Sequence, residues 1–172
     1  MNAESARPSP NGSTPTSAAS LSAALPAEPN HKGPARILVV DDDPDVRRVL
    51  GDALQLFNYR VDTAGDGAVG WEALCANSYD LVITDHMMPN LTGLDLLRLL
   101  RAVRLDLPCL LISGDLPSVE ADLAPLLQPG LAVDKPVKLE KLISLVRSLL
   151  SSYPIGSAEA RTGQTRLTLC PA

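Results

Sequence analysis

Five short apolar runs alternate with five longer segments of helical period between residues 35 and 151, and this alternation restricts the fold more than any other feature. The runs are RILVV (36–40), YRVDTA (59–64), DLVITD (80–85), LPCLLIS (107–113) and LAVDK (131–135). Several are apolar at consecutive positions, as strands buried on both faces are. Between them stand PDVRRVLGDALQLF, GAVGWEALCAN, TGLDLLRLLRAVR and SVEADLAPLL, and KLEKLISLVRSLLS follows the last run. Leu94, Leu97, Arg98 and Arg101 illustrate the helical pattern, with apolar and charged residues on separate faces. Successive parallel strands need crossover connections, which are helical and almost always right-handed. The order therefore predicts a doubly wound α/β domain, a five-stranded parallel sheet between two helical layers.

The flanks have a different composition. Residues 1–34 are mostly Ala, Ser, Pro, Thr and Asn, too little apolar surface to offset chain entropy, which predicts a disordered tail. Residues 152–172 lose the apolar periodicity, with Pro154 and Gly156 near their start, and predict a second tail. The folded part, 35–151, holds 17 acidic and 11 basic residues, so it carries the negative charge and offers no basic footprint for direct nucleic-acid contact. No stretch approaches the roughly 18 apolar residues of a membrane span, and the first residues lack the character of a signal peptide, so the expected location is cytoplasmic. Cys75, Cys109 and Cys170 have no metal-like spacing and are assigned no chemistry.

Ligand sites of open α/β sheets lie beyond the carboxyl ends of the strands. Asp41 and Asp42 follow the first run, Asp85 ends the third, Ser113 ends the fourth and Lys135 ends the fifth. Taken singly, each is better read as a cap or turn residue. Together they converge on one edge of one sheet. Two like charges about 4 Å apart at an effective dielectric of about 20 repel by on the order of 4 kcal/mol, so clustered carboxylates need a cation. Hard oxygen ligands with room for water and phosphate suit Mg²⁺. A carboxylate can attack phosphorus while a lysine and a hydroxyl hold the phosphoryl oxygens, and Asp85, alone on the central run, is the natural nucleophile. Asp43 stands apart from its neighbours: it precedes Pro44, which suits the first helical position, and is expected to cap that helix.

ILVVDDD, YDLVITDHMMPNLTGLDLL, LLISGD and VDKPV, with their separations, resemble the receiver domains of bacterial two-component response regulators. The resemblance covers about residues 35–151 and is closest in kind to the single-domain, chemotaxis-regulator-like members. It implies a flavodoxin-like fold, Asp85 as phosphoacceptor, and Mg²⁺ held by Asp41, Asp42, Asp85 and the backbone carbonyl of Met87. It further implies Ser113 as the switch hydroxyl, Lys135 as the phosphate-binding lysine and a cis Lys135–Pro136 bond. The implied donor is a phosphohistidine on a histidine kinase or phosphotransfer protein, and the implied output is contact with a downstream protein. Such a domain catalyses only its own phosphorylation and dephosphorylation.

Three other readings compete. GDGAVG (65–70) matches a dinucleotide-binding fingerprint, but it follows the second run, Asp66 would face a pyrophosphate, and no second mononucleotide half exists; a turn at Asp66–Gly67 is the simpler account. A phosphatase of the haloacid dehalogenase type also uses a strand-end aspartate, yet its general acid would fall at Met87. A receiver segment of a longer hybrid kinase is the remaining alternative. Two departures from the receiver pattern concern output: Ala132 replaces the usual aromatic, and Pro125 is expected to end or kink the fourth helix after Ala124. Met87 and Asp115 flank the path of an attacking water in the family, and an apolar Met87 implies slow to moderate self-dephosphorylation.

Overall fold

The computed structural model describes residues 33–103, 106–114 and 120–153, and for 120–123 the backbone alone. The stretches 1–32 and 154–172, which make up nearly all of the expected tails, lie outside the described residues, as does Asp115. Ten elements alternate without exception: β1 Arg36–Val40, α1 Pro44–Leu56, β2 Arg60–Ala64, α2 Gly67–Ala76, β3 Leu81–Asp85, α3 Gly93–Ala102, β4 Cys109–Ser113, α4 Glu120–Leu127, β5 Gly130–Asp134 and α5 Leu139–Ser152.

All four strand pairings are parallel, in the order β2-β1-β3-β4-β5. The order reverses direction after β1, so the crevice beside β1 and β3 is the topological switch point. Residues alternate between the two sheet faces, and both faces are covered. Leu38, Val40, Val82 and Leu111 pack with Leu74 of α2 and Leu96, Leu97 and Leu100 of α3. Ile37, Val39, Ile83, Leu110 and Ile112 pack with Leu54 of α1 and Leu142, Val146 and Leu149 of α5. β3 and β4 are buried at every position, as their unbroken apolar runs required. No helix among the described residues is long and apolar enough to cross a membrane.

Three details differ from the sequence reading. α4 continues to Leu127, two residues beyond Pro125, so of the two expected outcomes, an end or a kink, the helix does not end after Ala124. Proline removes a single donor, the one directed at the carbonyl of residue 121. Farther along, Arg101 Nε donates to the Leu126 carbonyl at 2.9 Å, so the last turn of α4 has an external partner. Arg101 is therefore not on a solvated face: its Nη atoms also reach the carbonyls of Leu107 and Pro129, where the cis Gln128–Pro129 bond ends the α4 segment. Cys109 is free and buried, whereas Cys75 on α2, to which the sequence reading assigned no chemistry, is disulfide-bonded.

Candidate functional site

Four polar or charged residues are buried among the described residues, and three of them, Asp41, Asp85 and Ser113, were selected from the sequence; the fourth is Thr84. Buried carboxylates are costly unless compensated, so their burial at one edge marks a built site. Backbone bonds extend the sheet into the loops that carry them. The Asp41 N–H donates to the Ala64 carbonyl at 3.2 Å, the His86 N–H to Ile112 at 2.9 Å and the Lys135 N–H to Ser113 at 2.7 Å. The cis Lys135–Pro136 bond expected from the resemblance is present.

Lys135 supplies the local positive charge. Its Nζ stands 2.8 Å from Asp85 Oδ1 and 3.6 Å from Asp41 Oδ2. Burial works against the ammonium, but the hydrogen bond to Asp85 and the charges of Asp85 and Asp41 outweigh it and hold the Lys135 pKa above its ordinary value. Burial raises the Asp41 pKa, only partly opposed by the Asp43 N–H and the more distant Lys135. The close ion pair is thus Lys135–Asp85, and Asp41 is left short of positive charge.

Asp42 and Met87 are exposed beside this pair, Met87 at 67%. As the side chains lie, no group of three or more His, Cys, Asp or Glu among the described residues is gathered tightly enough to hold a metal ion. In kind the donors fit Mg²⁺: three carboxylates and a main-chain carbonyl on one edge, all hard oxygens, with one buried carboxylate poorly compensated. Asp43 is separate, as its place before Pro44 suggested. Its side chain caps α1, accepting from the N–H groups of Asp45 at 2.8 Å and Val46 at 3.3 Å.

The GDGAVG stretch makes a turn and a helix start. Asp66 caps α2 by accepting from the Val69 N–H at 2.8 Å, and its other oxygen accepts from Asn90 Nδ2 at 3.2 Å. A Cβ at Gly67 would lie 2.3 Å from the Leu91 carbonyl oxygen, so this glycine permits a close approach of α2 to the β3–α3 loop. Two residues that shape the site were not singled out from the sequence. At Gly93 a Cβ would lie 2.0 Å from the Asp85 carbonyl oxygen. The Arg47 side chain turns back from α1, and its Nη1 donates to the Asp41 carbonyl at 2.5 Å. The signal for Arg47 was present, because it shares a helical stripe with Leu50 and Leu54, whereas Arg48 faces outward with Asp45 and Asp52.

The response regulator receiver domain family matches residues 37–147. The response regulator MprA of Mycobacterium sp. (strain KMS) is 40% identical over 119 residues, 68% of this chain and 51% of the relative. The DNA-binding transcriptional regulator NtrC of Azospirillum brasilense is 34% identical over 131 residues, 76% of this chain and 27% of that protein. The chain thus spans about half, or less, of the length of these curated relatives. Among solved structures, the response regulator TrrA of Thermotoga maritima, in complex with Mg²⁺ and BeF, is 33% identical with a TM-score of 0.61, covering 67% of this chain and 99% of that one. With its five parallel strands in the order 2-1-3-4-5, its buried acidic edge and these relatives, the chain belongs to the response regulator receiver domain family.

Proposed function

We propose that Asp85 accepts a phosphoryl group from a phosphohistidine on a histidine kinase or phosphotransfer protein, and that the phosphorylated domain signals by contact with another protein. The observation that carries this reading is the buried Asp85 carboxylate with Lys135 Nζ at 2.8 Å and Asp41 alongside. An Asp85 carboxylate oxygen bonds to phosphorus while the phosphorus–nitrogen bond of the donor breaks, its electron pair staying on the imidazole. Lys135 places positive charge where the phosphoryl oxygens arrive, and the Ser113 hydroxyl, at the end of β4, donates a hydrogen bond to one of them. Asp41, Asp42, Asp85 and the Met87 carbonyl would hold Mg²⁺, which when bound neutralises developing charge on the transferred group. The exposed, apolar Met87 has no means of orienting water, consistent with slow to moderate self-dephosphorylation. Ala132 leaves no aromatic to turn inward, so the change is relayed through Ser113 and the segment that follows it.

The excess of acidic residues in 35–151 argues against direct nucleic-acid contact by this domain and favours a protein partner, in the cytoplasm where phosphohistidine donors present their catalytic face. The test is intact-mass measurement after incubation with a small acyl phosphate, with and without Mg²⁺. One phosphate added to the wild type only with Mg²⁺, and none to Asp85→Asn, is the expected result. An unmodified wild type overturns the proposal.

A further inference from the structure

We infer that Arg47 is a positioning residue for the acidic loop, fixing the backbone of Asp41 so that its carboxylate, and that of Asp42, face the phosphoacceptor. The inference rests on the reading of Asp41 and Asp42 as Mg²⁺ ligands. Arg47 occupies the fourth position of α1, and its backbone N–H makes the first helical bond, to the Asp43 carbonyl at 3.0 Å. Helical side chains point back toward the N-terminus, so the guanidinium returns over the loop that precedes the helix. There Nη1 donates to the Asp41 carbonyl at 2.5 Å, while the group lies against Gly65 at the end of β2, where a Cβ would stand 3.7 Å from Nη1.

Every polar group of Asp41 then has an assigned partner. Its N–H donates to Ala64, its carbonyl accepts from Arg47, Oδ1 accepts from the Asp43 N–H at 2.9 Å, and Oδ2 faces Lys135. The first three bonds tie the residue to the ends of β1 and β2 and leave Oδ2 facing Lys135, the partner of Asp85. Of the three, the Arg47 bond is the only one made by a side chain outside the Asp41–Asp43 loop. Its donor is charged, and charge-assisted bonds, which include the one the Asp41 carboxylate accepts from the Asp43 N–H, are about twice as strong as neutral ones. Groups that orient a ligand without touching the metal commonly change affinity by about tenfold or more when removed.

The adjacent arginine makes the inference testable, because charge and positioning act in opposite directions. Arg48 is exposed and pairs with Asp45 at 3.5 Å and Asp52 at 3.9 Å on the outer face of α1. Removing either arginine deletes one positive charge near a cation site, which by Coulomb's law favours Mg²⁺. Removing the Arg47 clamp alone frees the loop, which disfavours it. Calorimetric titration with Mg²⁺ in the absence of any phosphodonor is therefore compared for wild type, Arg47→Met, Arg47→Lys and Arg48→Met. We expect Arg47→Met to weaken Mg²⁺ binding about tenfold. Arg48→Met leaves binding unchanged or slightly tighter, and Arg47→Lys, which keeps a charged donor, falls between wild type and Arg47→Met.

Phosphorylation from a small acyl phosphate supplies the second readout. For Arg47→Met the Mg²⁺ concentration at half-maximal rate rises, while the rate at saturating Mg²⁺ stays within about threefold of wild type, as a loss of prepaid orientation predicts. Binding by Arg47→Met as tight as by Arg48→Met overturns the inference. If Arg47→Met does not fold, Arg47→Lys decides alone: weaker binding than wild type supports the clamp, and equal or tighter binding refutes it. A wild type that binds no Mg²⁺ overturns the metal-site reading itself, an outcome separate from any difference between variants.

Discussion

Replacing Gly93 by alanine is expected to damage both stability and phosphorylation, by a mechanism confined to one contact. Gly93 opens α3, and its N–H donates to the His86 carbonyl at 3.1 Å, so the helix start lies directly on the end of β3. The added Cβ would stand 2.0 Å from the Asp85 carbonyl oxygen and 3.0 Å from both the Asp85 carbonyl carbon and Thr84 Oγ1. Even an attractive carbon–oxygen contact needs about 3.3 Å, so α3 and the Asp85 backbone must separate by roughly 1.3 Å. The closest contact is with buried backbone, which has no flexible side chain to turn away. Overpacking of this kind costs about 1–3 kcal/mol, and the alanine returns up to about 1 kcal/mol by restricting the unfolded chain. A net loss of about 1–2 kcal/mol lowers Tm by roughly 4–8 °C in a domain of this size. Asp85 moves with its own carbonyl, so the phosphorylation rate falls as well. Gly51→Ala is the control: in mid-α1 its Cβ would approach nothing closer than Val61 Cγ1 at 3.9 Å, and helix propensity predicts a gain of about 0.5–1 kcal/mol. Thermal melts followed by circular dichroism, with initial phosphorylation rates, read both variants. A Gly93→Ala protein as stable and as reactive as Gly51→Ala would refute the close-approach reasoning.

Two further outcomes separate structural from chemical aspartates. Asp43→Ala removes the two cap bonds of α1 and is expected to cost about 1 kcal/mol in urea unfolding. Its backbone N–H still donates to Asp41, so Mg²⁺ affinity should stay within about twofold, and a larger loss would make Asp43 part of the metal site. Asp95 has its pKa lowered, first by the hydrogen bond from the Thr92 hydroxyl and then by Arg98, so it stabilises the folded state only while ionised. That contribution is complete above the unfolded value near 3.8 and is lost as pH falls through the lower folded value. The stability difference between wild type and Asp95→Asn should therefore be present at pH 7 and shrink in melts taken below about pH 4. A difference that persists unchanged into strong acid would contradict the sign.

Much of the fold was legible because burial on both faces leaves an unmistakable record. The strands β3 and β4 are apolar at successive positions, since each residue meets a helical layer on one side or the other. Asp85, Ser113 and Lys135 were legible as a site because strand ends in a parallel sheet share one edge, so their positions along the chain imply their proximity. Arg101 was misplaced for the complementary reason. Helical period assigned it to a charged outer face, but the carbonyls of Leu107, Leu126 and Pro129 come from segments distant in sequence, and only their convergence gives the guanidinium an inner partner. That α4 runs on past Pro125 was not legible either, because local reasoning counts the donor lost and not the partner gained at the end of α4.

The sequence by itself determined the alternation of elements, the acidic edge and the separation of Asp43, the cap of α1, from its buried neighbour Asp41. These depend on periodicity and on bonds between near neighbours, which the order of residues already contains. Tertiary structure alone decided that Lys135 pairs closely with Asp85 and stands farther from Asp41, that Gly93 must lack a side chain, and that Arg47 rather than Arg48 reaches the Asp41 carbonyl. Each of these depends on distances of a few ångströms between segments far apart in the chain or on the facing of one side chain, and such distances exist only once the layers have packed.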